Sequence, residues 1–109
     1  MATKQSTVDF IIEQLSMLRS VRARKMFGEY ALYCDEKVVG LICDDRLFVK
    51  KTEQGEKLIQ GRYEEAPAYP GAKLSMLVGE DVLEDRELLT ELIRQTADAV
   101  ALPKRKRKS

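Results

Sequence analysis

Two thiols, Cys34 and Cys43, and several adjacent acids, Asp44-Asp45, Glu64-Glu65, Glu80-Asp81 and Glu84-Asp85, are the groups in this chain whose types suggest chemistry. A cysteine becomes a nucleophile or metal ligand as its thiolate, which needs a cation or a helix N-terminus beside it. The pattern supplies neither, so both cysteines are expected to be small buried or strand-end apolar residues. Paired carboxylates can serve acid–base work or a hard metal. Here, however, Asp44-Asp45 falls in a hairpin turn, Glu64-Glu65 in a loop, and the other two pairs just ahead of a helix, where turn preference and the helix dipole account for them. No spacing matches a calcium loop. The sequence contains no histidine, which removes Ser-His and Cys-His nucleophile pairs, His-liganded zinc and the usual near-neutral general base. Most common enzyme classes are thereby disfavoured, and no catalytic residue, metal or cofactor is expected.

Charge sharpens this. The 109 residues carry 19 basic and 18 acidic side chains, a net of +1. Five of the basic residues are Lys104, Arg105, Lys106, Arg107 and Lys108, and without them 14 basic face 18 acidic residues. The folded part is thus mildly acidic and the tail strongly basic. Duplex binding relies on Lys and Arg neutralising phosphates, so only the tail is a candidate polyanion contact, weak and without sequence readout. Arg22, Arg24 and Lys25 form a smaller basic group at the start of the sheet. They suit either an acidic partner or plain solvation.

Elements that position these groups follow from periodicity. Val8, Ile11, Ile12, Leu15 and Leu18 recur at helical spacing over residues 6–19, with Ser6 and Asp9 resembling a capping box. Residues 29–50 then give three apolar runs separated by Asp35-Glu36-Lys37 and Asp44-Asp45, a β-meander. A three-residue first loop pairs Cys34 with Val38, Leu32 with Gly40 and Tyr30 with Ile42. A two-residue second loop pairs Cys43 with Arg46 and Ile42 with Leu47. One face then collects Tyr30, Leu32, Cys34, Val38, Gly40, Ile42, Leu47 and Val49; Tyr33, Val39, Leu41 and Phe48 lie on the other. This puts the cysteines on opposite faces, beyond the ~7 Å Cα separation a disulfide tolerates. Unpaired thiols fit a reducing cytoplasm.

Thr52 is placed to cap a short helix running to about Ile59. Residues 61–73 read as loop, with Tyr69-Pro70-Gly71-Ala72 a type II turn. Leu74 through Val78 reads as a further strand. A last helix spans about 85 to 102, with Asp85 at its start and Pro103 beyond its end. The expected fold is α+β, a mainly antiparallel sheet of about four or five strands packed by N-terminal and C-terminal helices, in the order α-β-β-β-α-β-α. Residues 1–103 form one domain and 104–109 a disordered basic tail. No apolar run approaches the ~20 residues of a membrane span, and no signal peptide is evident, so a soluble cytoplasmic protein is expected.

The stretches RKMFGEYALYCDEK, VVGLICDDRLFVK and APAYPGAKLSMLV together resemble the N-terminal domain of the TfoX/Sxy family of bacterial competence regulators. The resemblance covers roughly residues 8 to 101. It implies helices packed on a mainly antiparallel sheet and a non-enzymatic role, with no catalytic residue to carry over. Full-length members assist the cAMP receptor protein at promoters of DNA-uptake genes and carry a helical C-terminal domain that this sequence does not contain. The expectation is an interaction module acting in transcription regulation through protein contacts. Tyr33, Val39, Leu41 and Phe48 form its candidate docking or dimer surface, provided no helix covers them. The alternatives are a small ligand-binding protein or enzyme using a cleft beside the sheet, with Cys43 or the Tyr69-Pro70-Gly71 loop, and a nonspecific DNA binder acting through the tail.

Overall fold

A computed structural model describes residues 3–26 and 29–100. Phe27-Gly28 and the tail, Lys104 to Lys108 included, lie outside them. The elements run α1 (Gln5–Gln14), β1 (Val21–Met26), β2 (Glu29–Cys34), β3 (Lys37–Cys43), β4 (Arg46–Val49), α2 (Glu53–Leu58), β5 (Tyr63–Pro67), β6 (Leu74–Val78), α3 (Glu80–Leu83) and α4 (Arg86–Ala99). The fold is α+β, as expected. Among the described residues the strands form one antiparallel sheet of six in the order β1-β2-β3-β4-β6-β5. Two strands go beyond the sequence reading, β1 and β5, and they are the two edges. Both are charge-rich, and pairing with β2 and β6 overrides their modest strand propensity.

Asp44 and Asp45 form the two-residue turn read from the sequence, both in the left-handed region at φ 54° and 60°, and Cys43 pairs with Arg46. The β2–β3 turn differs from expectation. Asp35 and Glu36, at φ 55° and 69°, make a two-residue turn there too, so Cys34 pairs with Lys37 rather than Val38. Farther along, Leu32 still pairs with Gly40 and Tyr30 with Ile42, because a bulge between Leu32 and Tyr33 absorbs one residue of β3. Val39 is that extra residue. A bulge sends consecutive side chains to one side, so Val39 joins the helix-facing core and is fully buried. Lys37 follows it to that side, where its Nζ donates to the Ala97 carbonyl at 2.7 Å near the end of α4.

The core lies between this sheet face and the helices. Val8 and Ile11 of α1 and Leu89, Leu92, Ile93 and Ala97 of α4 close over Leu32, Ile42, Leu47, Val49 and Met76. Each buried Leu or Ile contributes about 1.5–3 kcal/mol, so α4 is the main cover. Asp85 caps it by accepting from the Leu88 N–H at 3.1 Å, and Thr52 caps α2 through Gly55 at 3.0 Å. The α1 cap differs from the Ser6/Asp9 box. Its first turn is held by Asp45 of the β3–β4 turn, which accepts from the Lys4 N–H at 2.8 Å and the Thr7 hydroxyl at 2.9 Å. In the β5–β6 connection the Ala72 N–H donates to the Tyr69 carbonyl at 3.0 Å with Gly71 at φ 87°. That is the expected turn.

Candidate functional site

The second face of the sheet, away from the helices, holds the candidate contact residues. Tyr33 and Leu41 are there and half-buried. Two expectations are corrected. Val39 left this face through the bulge. Phe48 is on it but only 1% exposed: it is flanked across the ladder by Leu41 and Leu77, and the Arg46 guanidinium stands 5.4 Å from its ring centre. Phe48 therefore supports this face from beneath and presents no contact area of its own. Tyr33 carries a similar lid, the Arg22 guanidinium at 4.6 Å from the ring centre.

What remains open is a cleft of about 400 Å³ lined by Met26, Glu29, Tyr30, Leu41, Cys43, Ala68 and Tyr69. These come from β1, β2, β3 and the β5–β6 connection. The cleft thus joins one edge strand to the connection at the other edge, and Ala31 and Cys43 are buried. Met26 and Tyr69 at its margin are exposed, 38% and 57%. The sequence carried a partial signal for this site in the Tyr69-Pro70-Gly71 turn. Met26 gave none, because the helical and strand periodicities both stop short of it.

The carboxylate of the cleft is engaged. Glu29 Oε1 accepts from the backbone N–H of Thr3 at 3.0 Å, from the Thr3 hydroxyl and from the Asp44 N–H at 3.3 Å. The Tyr30 side chain instead points to the helix side, where its hydroxyl donates to Gln5 Oε1 of α1 at 3.0 Å. Burial, and after it the Glu29 carboxylate, pushes the Cys43 thiol above its ordinary value, which favours the protonated, less nucleophilic form. Burial, with Asp35 next, does the same to Cys34, which sits in the core on the opposite face. Both thiols are free. The acid pairs stay apart as well. Asp81 is held by Arg62 at 2.9 Å and Glu65 by Lys51, and no group of acids, histidines or cysteines able to hold a metal occurs among the described residues.

Fold and site together define a small α+β domain with one sheet face roofed by helices and the other bearing a largely apolar cleft. Comparison with known proteins fixes the family. Residues 13–100 match the TfoX N-terminal domain, and the chain belongs to that family, which is associated with regulation of competence and DNA uptake. It is also 44% identical over 104 residues to the "Uncharacterized 12.7 kDa protein in trpE 5'region" of Spirochaeta aurantia, an alignment covering 95% of this chain and 89% of that protein. No helix among the described residues is long and apolar enough to cross a membrane.

Proposed function

We propose that this domain is a non-enzymatic contact module in transcription regulation of the competence type, docking a protein partner at the second sheet face. The observation that carries this reading is the cleft. Exposed Met26 and Tyr69 and half-buried Leu41 surround it, and its one carboxylate, Glu29, is already engaged by Thr3 and Asp44. Apolar surface with an aromatic margin is what an inserted partner side chain exploits, and residues of this kind dominate interface energetics. By resemblance, the partner belongs to the transcription machinery, the cAMP receptor protein first among it. The basic tail, Lys104 to Lys108, adds nonspecific attraction to DNA.

The test is retention of the cAMP receptor protein and RNA polymerase from nuclease-treated native extract. The full chain, a chain ending at Leu102, and Leu41→Asp and Tyr69→Ala variants are compared after circular dichroism has shown each folded. Retention by the first two and a loss of about tenfold or more in the variants is expected, a hot-spot effect. Equal retention by all four removes the cleft from the reading. The cleft's volume also lies within the range of small-molecule sites, so a ligand-binding role is the second reading. An apolar compound co-purifying stoichiometrically with the wild type and lost in Tyr69→Ala would favour it.

A further inference from the structure

The basic group Arg22, Arg24 and Lys25 lies on β1, an edge of the sheet. All three side chains are exposed, and no carboxylate forms an ion pair with them among the described residues. The ladder fixes which backbone groups face outward. The Asp35 N–H donates to the Ser20 carbonyl at 3.1 Å, so Ser20 and Asp35 are a hydrogen-bonded pair one step beyond Val21↔Cys34. Bonded and non-bonded pairs alternate in an antiparallel ladder. Arg22, Arg24 and Met26 therefore bond inward to β2, while Val21, Ala23 and Lys25 aim N–H and C=O away from the sheet. Among the described residues no hydrogen bond uses these outward groups.

We infer that β1 is an augmentation site that takes an acidic extended segment of a partner protein as a seventh strand. Backbone hydrogen bonds to Val21, Ala23 and Lys25 supply the ladder, and the cations select the side chains. In the new ladder Arg22 and Arg24 occupy non-hydrogen-bonded positions, where facing side chains come closest, and both lie on the second sheet face with Met26. Lys25 lies on the other face, past Val21 and Ala23, which pack on the core. An antiparallel incoming strand therefore needs, from its N-terminus, an acid opposite Lys25, an acid opposite Arg24, a small or apolar residue opposite Ala23 and an acid opposite Arg22. Charge on an edge strand also hinders edge-to-edge association. Like charges would face each other if two β1 strands paired, which disfavours a second copy and favours an acidic partner. The inference stands apart from the cleft and holds whether or not the cleft docks a protein.

The probe is a synthetic peptide of about seven residues, Thr-Glu-Glu-Val-Glu-Val-Thr. It is compared with a version carrying Gln for each Glu, a version with Pro for the central Val, and single-stranded DNA of equal charge. Binding to the full chain is read by amide chemical shifts and hydrogen exchange. Saturable binding of the acidic peptide is expected, with slowed exchange at Val21, Ala23 and Lys25. The Gln and Pro peptides should each bind about tenfold or more weakly, and Arg22→Glu with Arg24→Glu should have the same effect on the acidic peptide. The inference is overturned by any of four results: no binding of the acidic peptide; equal binding of the Pro peptide, which would mean charge without a ladder; equal competition by the DNA, which would mark a general polyanion site; or protection centred on Tyr69 instead of β1. Because the cleft variants leave β1 intact, failure at the cleft and failure at the edge read out separately.

Discussion

Replacing Gly40 with alanine tests the β3–β4 packing most sharply. A Cβ built there stands 2.4 Å from the Phe48 carbonyl oxygen and 3.2 Å from the Val49 Cα, both backbone atoms of the neighbouring strand. Such atoms cannot swing away as a side-chain end can, so either β3 and β4 separate or the Val39 bulge shifts. Overpacking of this kind costs about 1–3 kcal/mol, sometimes more, and the stiffer unfolded chain returns only about 0.4–1 kcal/mol. Gly40→Ala is therefore expected to lose about 1.5 kcal/mol net and to lower Tm by roughly 6–12 °C. Gly55→Ala is the internal control. Its added methyl meets Thr52 Oγ1 at 3.0 Å, Met76 Cε at 3.1 Å and Leu92 Cδ1 at 3.2 Å, and the two apolar neighbours are ends of flexible side chains. It gains about 0.5–1 kcal/mol in helix α2, so a change within about 1 kcal/mol is expected. Urea unfolding followed by circular dichroism measures both. A Gly40→Ala protein within about 0.5 kcal/mol of wild type, or one that loses less than Gly55→Ala, would refute the reasoning.

Three further outcomes are expected. Asp85→Ala removes the α4 cap and should cost about 1 kcal/mol in the same titration, with Asp85→Asn restoring most of it. Cys34 and Cys43 should react with a thiol reagent far more slowly in the folded protein than in urea. Because folding raises both thiol values above the ordinary 9.0, their contribution is complete below that pH and declines as pH rises through their higher folded values; an unfolding free energy flat to strongly alkaline pH would contradict this. Finally, the Lys4 N–H and the Thr7 hydroxyl hold the Asp45 carboxyl below its ordinary 3.8. Protonation should release the first turn of α1 as pH falls below that value, seen as loss of protection at the Lys4 amide, while Asp45→Ala should lose it at all pH values.

The meander was legible because hydrophobic alternation and two acidic turns fix a register over most of its length. The bulge was not. A two-residue turn followed by a bulge and a three-residue loop without one give identical pairing from Leu32 and Gly40 onward, and differ only at the residues next to the turn. The fate of Val39 hinged on that difference. Gly40 was the one local clue, since a missing side chain often accompanies a close backbone approach. For β5, Glu64, Glu65 and Pro67 argue against a strand interior, and the segment is a strand because β6 offers it an edge. Phe48 belonged to the correct face, but its burial depends on its neighbours on two other strands, Leu41 and Leu77, and on Arg46 lying over the ring. Neither is a property of a single strand.

The order in which the core is completed has a consequence for synthesis. α4 supplies Leu89, Leu92, Ile93 and Ala97, yet it is translated after every strand that it covers. While it is still within the ribosome, a nascent chain already holding all six strands has its helix-facing side sheltered only by α1, α2 and α3. That side is apolar and contiguous, a binding surface for chaperones and a hazard for misassembly. Completion of this core therefore waits on the emergence of α4, and a truncation before Arg86 is expected to leave an aggregation-prone sheet rather than a weakened domain.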